Sequence, residues 1–295
     1  EEKSGGQLQI KLHDYASLKE EKEKAIDTAS VSTFYKDKEM INAVSNGLVE
    51  LGLVSLTRFS ETIPEVDIFF QPFLFDTEKK INKARSKGSL IRETLEKEIN
   101  KTGNTVLWWQ SYGNSIMVSK AKGIITPDDM RGKNVRVFGE TLGNLALVAG
   151  GIPVLIPNSR QYFSYKYGKA EIGMTTIADL AKNRIWEVMD TVSITNHASI
   201  QFVTIANTRW LNSLRNDMKS IILNASSKVE DIAEADFRVL EKNSYKAALQ
   251  NGMIISVLSD DDREFWKEKS SPLYKKYLEN TGNAGQVLFD QATNF

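Results

Sequence analysis

Short strand-like runs alternate with helical segments along this chain, and this alternation limits the possible folds more than any other feature. Residues 134–137, 152–155 and 171–174 are such runs, and each precedes a segment with helical spacing. Strands that alternate with helices pack as α/β layers with largely parallel sheets, so we predict this fold class. The 295 residues exceed one ordinary core, which predicts two domains. Because no Gly-, Pro- or Ser-rich linker separates them, we expect strands or a helix that cross between the domains.

The other elements follow from the same spacing of apolar residues. Residues 126–129 read Thr-Pro-Asp-Asp, which is typical of a helix start. Residues 63–75 combine two prolines with apolar side chains and predict an irregular crossing segment. Further strands are predicted at residues 7–12, 49–56, 105–109, 192–195, 202–206 and 253–258, and helices at residues 37–46, 76–100, 142–149, 159–167, 176–182, 216–250 and 260–279.

The composition argues against several kinds of site. There is no cysteine, which removes disulfides, thiolate nucleophiles and cysteine-based zinc sites. The two histidines, His13 and His197, lie far apart, so we expect no metal site and a structural hydrogen bond for His197. With 38 basic and 38 acidic residues, the chain has no general field that attracts nucleic acid. It shows no apolar run that would span a membrane and no signal peptide, so we expect that an export signal has been removed.

Common enzyme motifs are also missing from the sequence. It contains no phosphate-binding loop, dinucleotide fingerprint, zinc-protease helix or serine-hydrolase elbow. A pair of catalytic carboxylates of the glycosidase type stays open, because such a pair has no fixed spacing. The absence of these motifs argues against the common enzyme classes, which agrees with the prediction that the protein is not an enzyme and needs no cofactor.

Arg136 is the first candidate for a binding residue, because it lies within an otherwise apolar predicted strand. A guanidinium group is a planar fork that holds a carboxylate through two hydrogen bonds. A predicted helix start follows closely, so its free amides would point into the same region. The alternative is an arginine that faces solvent or pairs across the sheet, and the residues alone leave both readings open.

Other candidates lie at the ends of predicted strands. Thr175 and Thr176 follow a strand at the edge where open α/β sheets bind ligands, although the residues alone favour a helix cap. Asn158 is either a cap or a ligand amide. Trp108 and Trp109 face opposite sides of a strand, so we expect one to pack in a core and the other to form a pocket floor.

Nine short segments, in a shared order and spacing, carry a resemblance to a known family. They are residues 4–10 (Ser-Gly-Gly-Gln-Leu-Gln-Ile), 37–40, 71–75 (Gln-Pro-Phe-Leu-Phe), 108–109, 126–137, 150–153, 185–188, 195–197 and 207–210. With them the chain resembles the substrate-binding proteins of tripartite ATP-independent periplasmic (TRAP) transporters, of the DctP type. The likeness covers nearly the whole chain.

The resemblance implies a two-domain clamshell of the periplasmic-binding-protein kind, with crossing strands and a long domain-spanning helix. The ligand cleft then lies between the domains. We predict domain I at residues 1–113 plus 201–240 and domain II at residues 114–200 plus 241–295.

The resemblance also assigns roles to individual positions. Arg136 falls on the carboxylate-binding arginine of the family. Thr175 falls where many members carry a ligand-binding asparagine, and Asn158 falls where many carry an aromatic pocket residue. Many members have a second arginine where this chain has Asn114. With their neighbours, these positions give the predicted binding set: Arg136, Thr175, Thr176, Asn158, Trp109, Tyr112, Asn114, Gly139 and Phe59.

Because only one arginine is placed in the predicted pocket, we expect a ligand with one principal carboxylate and an otherwise neutral or weakly polar body. Arg58, Arg160 and Lys169 are the rival cations for a second acid group. The implied function is a periplasmic solute-binding protein that delivers a small organic acid to TRAP permease subunits, acting as a monomer without metal or nucleic acid. The alternatives are a carboxylate-processing enzyme and a ligand-sensing domain of similar architecture.

Overall fold

A computed structural model describes residues 2–11 and 37–295. The helices in these ranges are α1 (Asp37–Ser45), α2 (Glu78–Arg85), α3 (Leu90–Lys101), α4 (Glu140–Val148), α5 (Gln161–Lys166), α6 (Ile177–Lys182), α7 (Thr208–Ser213), α8 (Asn216–Gln250) and α9 (Asp260–Thr293). The strands are β1 (Leu51–Ser55), β2 (Asn104–Ser119), β3 (Asn134–Val137), β4 (Ile152–Leu155), β5 (Ile172–Thr176), β6 (Thr191–Ile194), β7 (Ser199–Asn207) and β8 (Ile254–Val257).

Strand β2 is 16 residues long and connects two groups of strands. Its first part pairs with β7, which pairs with β1. Its second part, from Ser115 onward, pairs with β5 and β6. Beyond these lie β3 and β4 on one side and β8 on the other. The predicted α/β class is thus confirmed, and β2 and β7 both run through the junction of the two groups.

The expected parallel pairing holds only away from β2. The pairs β3–β4, β3–β5 and β6–β8 are parallel. Every pair that includes β2 or β7 is antiparallel, so the prediction of largely parallel sheets was wrong there. Two parallel strands must be joined by a crossover connection. Antiparallel strands need no such crossover, so a long strand shared by two groups can pair with strands of the opposite direction.

Several element boundaries also differ from the sequence-based prediction. Residues 7–11 form no strand, and residue 12 lies outside the described residues. The single helix predicted at 76–100 is two helices, α2 and α3, separated by a turn in which Gly88 has φ +83°. The last helix does not end near residue 280, because helical structure resumes after Gly282, whose φ of 58° and ψ of −141° bend it. A glycine signals a break in direction, and the sequence does not show whether the helix then continues.

The apolar residues form two main cores. The larger contains Phe69, which stacks on Phe75 with ring centroids 5.0 Å apart and contacts Trp109 at 5.7 Å. The second core contains Tyr165 and Ile185 and packs on the side of β5 and β6 that carries α6. Neither core needs a charged residue to fill it, so the buried polar groups described below require a separate explanation.

Helix α8 is fixed to α3 by a buried ion pair. Arg92 donates to both carboxylate oxygens of Glu230, at 2.5 and 3.0 Å, and to Glu96 at 2.7 Å. Glu230 also accepts the backbone N–H of Trp109 on β2 at 3.3 Å. A buried pair is tolerated when such additional hydrogen bonds satisfy both partners. Further along, α8 contacts β2 at Gly113 and then α6, so one helix touches both groups of strands.

Helix α9 also makes contacts on both sides of the junction. Tyr277 donates through Oη to the backbone oxygen of Glu65 at 3.3 Å, and Tyr274 donates to that of Pro72. Lys276 pairs with Glu140 at 2.9 Å, at the start of α4. Although α8 and α9 are long, no helix of the described residues combines the length and the apolar character needed to cross a membrane.

Substitution of Gly113 tests the contact between β2 and α8. Its φ is +83°, and a Cβ built on it lies 2.8 Å from Cζ of Phe237. Gly113→Ala should lower the free energy of unfolding by about 2–4 kcal/mol, measured by chemical denaturation, because it adds a clash to left-handed strain. Gly88→Ala is the matched control, since Gly88 has the same φ and nothing within 4 Å. Equal losses in the two variants would contradict a tight contact.

Candidate functional site

Arg136 is a buried cation on β3. Its side chain bonds to backbone at β4 and β5, the two strands that flank β3. Its side chain is 2% exposed. Nε donates to the backbone oxygen of Ile156, after β4, at 2.9 Å, and Nη1 donates to that of Met174, in β5, at 2.5 Å. Its guanidinium carbon lies 5.2 Å from the ring centre of Phe138.

No acidic side chain of residues 2–11 or 37–295 forms an ion pair with Arg136. Burial lowers the pKa of Arg136, and the nearby Tyr165 and Asp179 act in the opposite direction. A buried charge without a counter-ion is costly, and arginine stays protonated even so. The site is therefore suited to an anion that comes from outside the protein.

Tyr165 approaches Arg136 because β5 has a glycine where the two would meet. Gly173 lies opposite Arg136 in the β3–β5 pair. A Cβ on Gly173 would lie 1.9 Å from Oη of Tyr165, so only glycine leaves room for the ring. The sequence gives no signal for Tyr165, whose helical spacing is that of an ordinary core residue.

Three polar side chains on β2, β5 and β7 have oxygen atoms without a hydrogen-bond partner among the described residues. They are Thr175 Oγ1, Asn114 Oδ1 and Gln201 Oε1. Buried oxygens of this kind normally have a partner in a protein or in ordered water. Their occurrence together indicates a place where donors come from a bound molecule.

The strand register places these groups on the face that carries Arg136. Thr175 lies two residues after Gly173 and opposite Ile116 in β2. Asn114 lies two residues before Ile116, and side chains at that spacing share a face. Asn114 is paired with Ser199 in β7, and Gln201 donates to Ser199 Oγ at 2.9 Å. Sequence reasoning missed Gln201, although a glutamine between Ile200 and Phe202 in an apolar strand was a usable signal.

Tyr112 links the elements that surround this face. Its Oη donates to Asp179 Oδ1, on α6, at 3.0 Å. Its ring packs against Phe202 of β7 and Phe237 of α8, with centroids 5.4 and 6.1 Å away. Burial, followed by the charge of Asp179, raises the pKa of Tyr112, so the phenol stays protonated as a donor.

Four other members of the predicted binding set have structural contacts. Thr176 accepts the backbone N–H of Asp179 at 3.1 Å and caps α6. Asn158 accepts from Nε2 of Gln161. Phe59 is buried in the larger core, and so is Trp109, whose indole N–H donates to Glu96 at 2.8 Å. Packing and capping account for these side chains without a ligand.

Neither tryptophan forms a pocket floor. Trp109 lies in the larger core, as expected for one of the two. Trp108 packs instead against a small outer cluster with Leu211 and Trp210. A register shift in β2 between Val106 and Trp108 accompanies this arrangement, and α7 covers the side where solvent or ligand was expected.

A cavity of about 760 Å³ has Phe138 in its wall, whereas Arg136 itself is not a wall residue. Its walls come from residues 57–71, 137–155 and 273–280. Phe138, whose ring lies beside the Arg136 guanidinium, is one wall residue, and Gly139 is another. Gly139 is the only member of the predicted binding set among the cavity's wall residues in the described chain. Its position before α4 leaves the cavity open, because nothing lies within 4 Å of the place where a Cβ would be.

His197 is a neutral structural residue. Its Nδ1 lies 2.7 Å from the hydroxyl of Thr195, which confirms the expected hydrogen bond. Complete burial lowers the pKa of His197 to about 3. Within the described residues, no group of three or more histidine, aspartate or glutamate side chains is arranged to hold a metal ion.

The family comparison decides the class of protein. Residues 23–281 match DctP, the bacterial extracellular solute-binding protein family 7. The chain belongs to this family. The resemblance predicted from the sequence is thereby confirmed: the chain is an extracytoplasmic solute-binding protein of the DctP type and not an enzyme. Proteins of this kind bind small solutes and work with membrane permease subunits.

Curated relatives are distant but cover most of the chain. The C4-dicarboxylate-binding periplasmic protein DctP of Vibrio cholerae is 23% identical over 256 residues, or 85% of this chain and 75% of that protein. The ectoine-binding periplasmic protein TeaA of Halomonas elongata is 21% identical over 257 residues, with coverage of 86% and 75%. The two names give different solutes.

Solved structures confirm the fold. DctP7 of Bordetella pertussis, an extracytoplasmic solute receptor binding pyroglutamic acid, has a TM-score of 0.84 at 19% identity and covers 100% of this chain and 91% of its own. A TRAP periplasmic solute-binding protein of Chromohalobacter salexigens with bound D-glucuronate has a TM-score of 0.85 at 17% identity, covering 99% and 91%. The two-domain clamshell is thus the architecture of this DctP-family chain.

Gly173 tests whether Tyr165 needs the space beside Arg136. Gly173→Ala should lower the free energy of unfolding by about 1–3 kcal/mol, because the new methyl group overlaps the Tyr165 ring. Gly143→Ala is the control, since its nearest neighbours lie 3.8 Å away and alanine favours the helix. Denaturation curves for both variants decide the matter, and unchanged stability in Gly173→Ala would disprove the close approach.

Proposed function

We propose that this protein captures a small organic acid by pairing its carboxylate with Arg136 and delivers it to a TRAP permease. The observation that carries the proposal is the buried guanidinium of Arg136, which has no acidic ion-pair partner among the described residues. The relatives whose names or structures contain carboxylate-bearing solutes support the same ligand class.

The geometry of Arg136 is suited to hold a carboxylate in one orientation. Two backbone oxygens fix the guanidinium plane through Nε and Nη1. A guanidinium has five N–H donors, so enough remain for a carboxylate to accept two. Because the group is already held in place, little conformational entropy is lost on binding.

Around this anchor we place Thr175, Asn114 and Gln201 as neighbours of the solute. Their unpartnered oxygens, among the described residues, share the face of the sheet with Arg136. Gly139 and Tyr112 complete the set, the first as an opening toward the cavity and the second as a link between β2 and α6.

We further propose that binding closes the two domains on the solute. The change of partners along β2, between Asn114 and Ser115, supports a boundary near residue 113. The assignment of residues 1–113 plus 201–240 and 114–200 plus 241–295 stays a prediction, as do a periplasmic location and a monomeric state. A ligand that touches both domains favours the closed form by its differential affinity.

Arg136 is tested first by substitution. Arg136→Ala should weaken binding of an organic acid by about 100-fold or more, since a charged hydrogen bond contributes about 1.5–3 kcal/mol and a bidentate pair more. Arg136→Lys should recover only part, because a point charge does not reproduce the fork. A thermal-shift screen of organic acids identifies the ligand, and calorimetry measures the affinities.

Arg209→Ala is the matched control for charge, because Arg209 is exposed on α7. It should bind as the wild type does. Wild-type affinity in Arg136→Ala, with an unchanged unfolding midpoint, would contradict the proposal.

A second measurement concerns the number of carboxylates. Monocarboxylates should bind more tightly than dicarboxylates of the same length, because Asn114 occupies the place of the family's second arginine and a second buried charge lacks a partner. Calorimetry with matched pairs decides this. Tighter binding of dicarboxylates would show that Arg58, Arg160 or Lys169 supplies the second cation.

A further inference from the structure

We infer that the cavity whose wall includes Phe138 holds a second recognition site, in which Asp67 and Gln71 bind an ammonium group of the solute. The inference rests on the proposed function, because it adds a contact to a solute that Arg136 already holds. It identifies the solute as a zwitterion, with a carboxylate at one end and a primary amine at the other.

Asp67 is a carboxylate without a cation. It lies in the short helix Pro64–Phe70, on the cavity wall, and is half-buried. Ser60 Oγ donates to its Oδ1 at 2.5 Å, and no basic side chain of the described residues forms an ion pair with it. Burial, and then the charge of Glu140, raises the pKa of Asp67, so a nearby positive charge would stabilise its ionised form.

Gln71 is another wall residue of the same cavity. Its side chain is 2% exposed, and Nε2 donates to the backbone oxygen of Asp67 at 3.1 Å. That bond leaves Oε1 without any partner among the described residues. A buried amide oxygen with no donor is rare in folded proteins, and here it belongs to a cavity wall.

The charges on the cavity wall leave Asp67 unbalanced. The acidic wall residues are Glu61, Asp67 and Glu140, and the basic ones are Arg58 and Lys276. Among the described wall residues, three acids and two bases leave one negative charge. Glu140 and Lys276 pair with each other at 2.9 Å, which neutralises the wall formed by α4 and α9. Asp67 forms no such ion pair with a described residue.

An ammonium group fits these acceptors better than the other candidates. It carries three donors and a positive charge, so one group serves both the Asp67 carboxylate and the Gln71 oxygen. A hydroxyl group supplies one donor and leaves the charge of Asp67 uncompensated. A neutral tail, which the sequence alone led us to expect, satisfies neither acceptor.

The position of the site also fits a solute that favours closure of the two predicted domains. Asp67 and Gln71 belong to predicted domain I, whereas Arg136 belongs to predicted domain II. A zwitterion that pairs with Arg136 at one end and Asp67 at the other connects the two, and each end gains most when the cavity is closed.

The test uses matched series of compounds on the whole protein. The series are ω-amino carboxylates from glycine to 6-aminohexanoate, alkanoates of the same lengths and the corresponding ω-hydroxy acids. The proteins are the wild type, Asp67→Asn, Gln71→Leu and the control Asp128→Asn, which alters an exposed aspartate paired with Arg131. Calorimetry measures affinity, and thermal unfolding confirms that each variant is folded.

At one chain length the amino compound should bind about tenfold or more tightly than the alkanoate. Asp67→Asn should remove this preference without changing alkanoate affinity, and Gln71→Leu should reduce it. Asp128→Asn should retain it. The inference is overturned if alkanoates or hydroxy acids bind as tightly as the amines, if Asp67→Asn keeps the preference, or if the protein binds other acids but none of the amines.

Arg136→Ala separates this inference from the proposed function. Loss of all three series in Arg136→Ala, with an unaltered profile in Asp67→Asn, supports the carboxylate anchor and rejects the ammonium site. If Arg136→Ala still binds every series while Asp67→Asn loses the amine preference, the anchor is rejected and the ammonium site stands. A wild-type protein that binds no organic acid contradicts both.

Discussion

The shared strand β2 is the constraint on which the rest of this structure depends. One group of strands is built on its first part and another on its second, so β2 joins the two groups. Helix α8 crosses the same junction and is fixed to α3 through Arg92 and Glu230. Of the proposed solute-binding residues, Asn114 lies on β2 at the point where its partner strand changes.

The two buried arginines, Arg92 and Arg136, have different surroundings. Arg92 is enclosed with a carboxylate that satisfies it, and the result is rigidity. Arg136 donates to two backbone oxygens and has no carboxylate ion-pair partner among the described residues, which is the basis of its proposed role as the anchor of a solute carboxylate. An arginine that is paired with a carboxylate of the protein thus holds two helices together, whereas the arginine without such a partner is the one proposed to bind the solute.

The sequence predicted the parts of this protein that depend on local patterns. The short strands β3, β4 and β5 and the long helix α8 follow from apolar spacing, and Arg136 was found because a charge interrupts a strand. What it did not predict depends on contacts between distant segments. The length and antiparallel pairing of β2, the fit of Tyr165 over Gly173, and the orphan oxygens of Gln201 and Gln71 are fixed by register and packing. Trp109 is the opposite case. Its residue type made it a candidate for the binding site, but its neighbours in the fold bury it in the larger core.

The neutrality of His197 has a consequence for life outside the cytoplasm. The folded protein keeps this imidazole unprotonated down to a pKa of about 3, whereas an unfolded chain takes up a proton near 6.5. The unfolded state therefore binds more protons between those values, and stability contributed by this residue falls as the pH drops below about 6.5. His197 also bonds to Ser115 and Phe73 through its backbone, so the residue that carries this acid sensitivity lies where β2 changes partner strands.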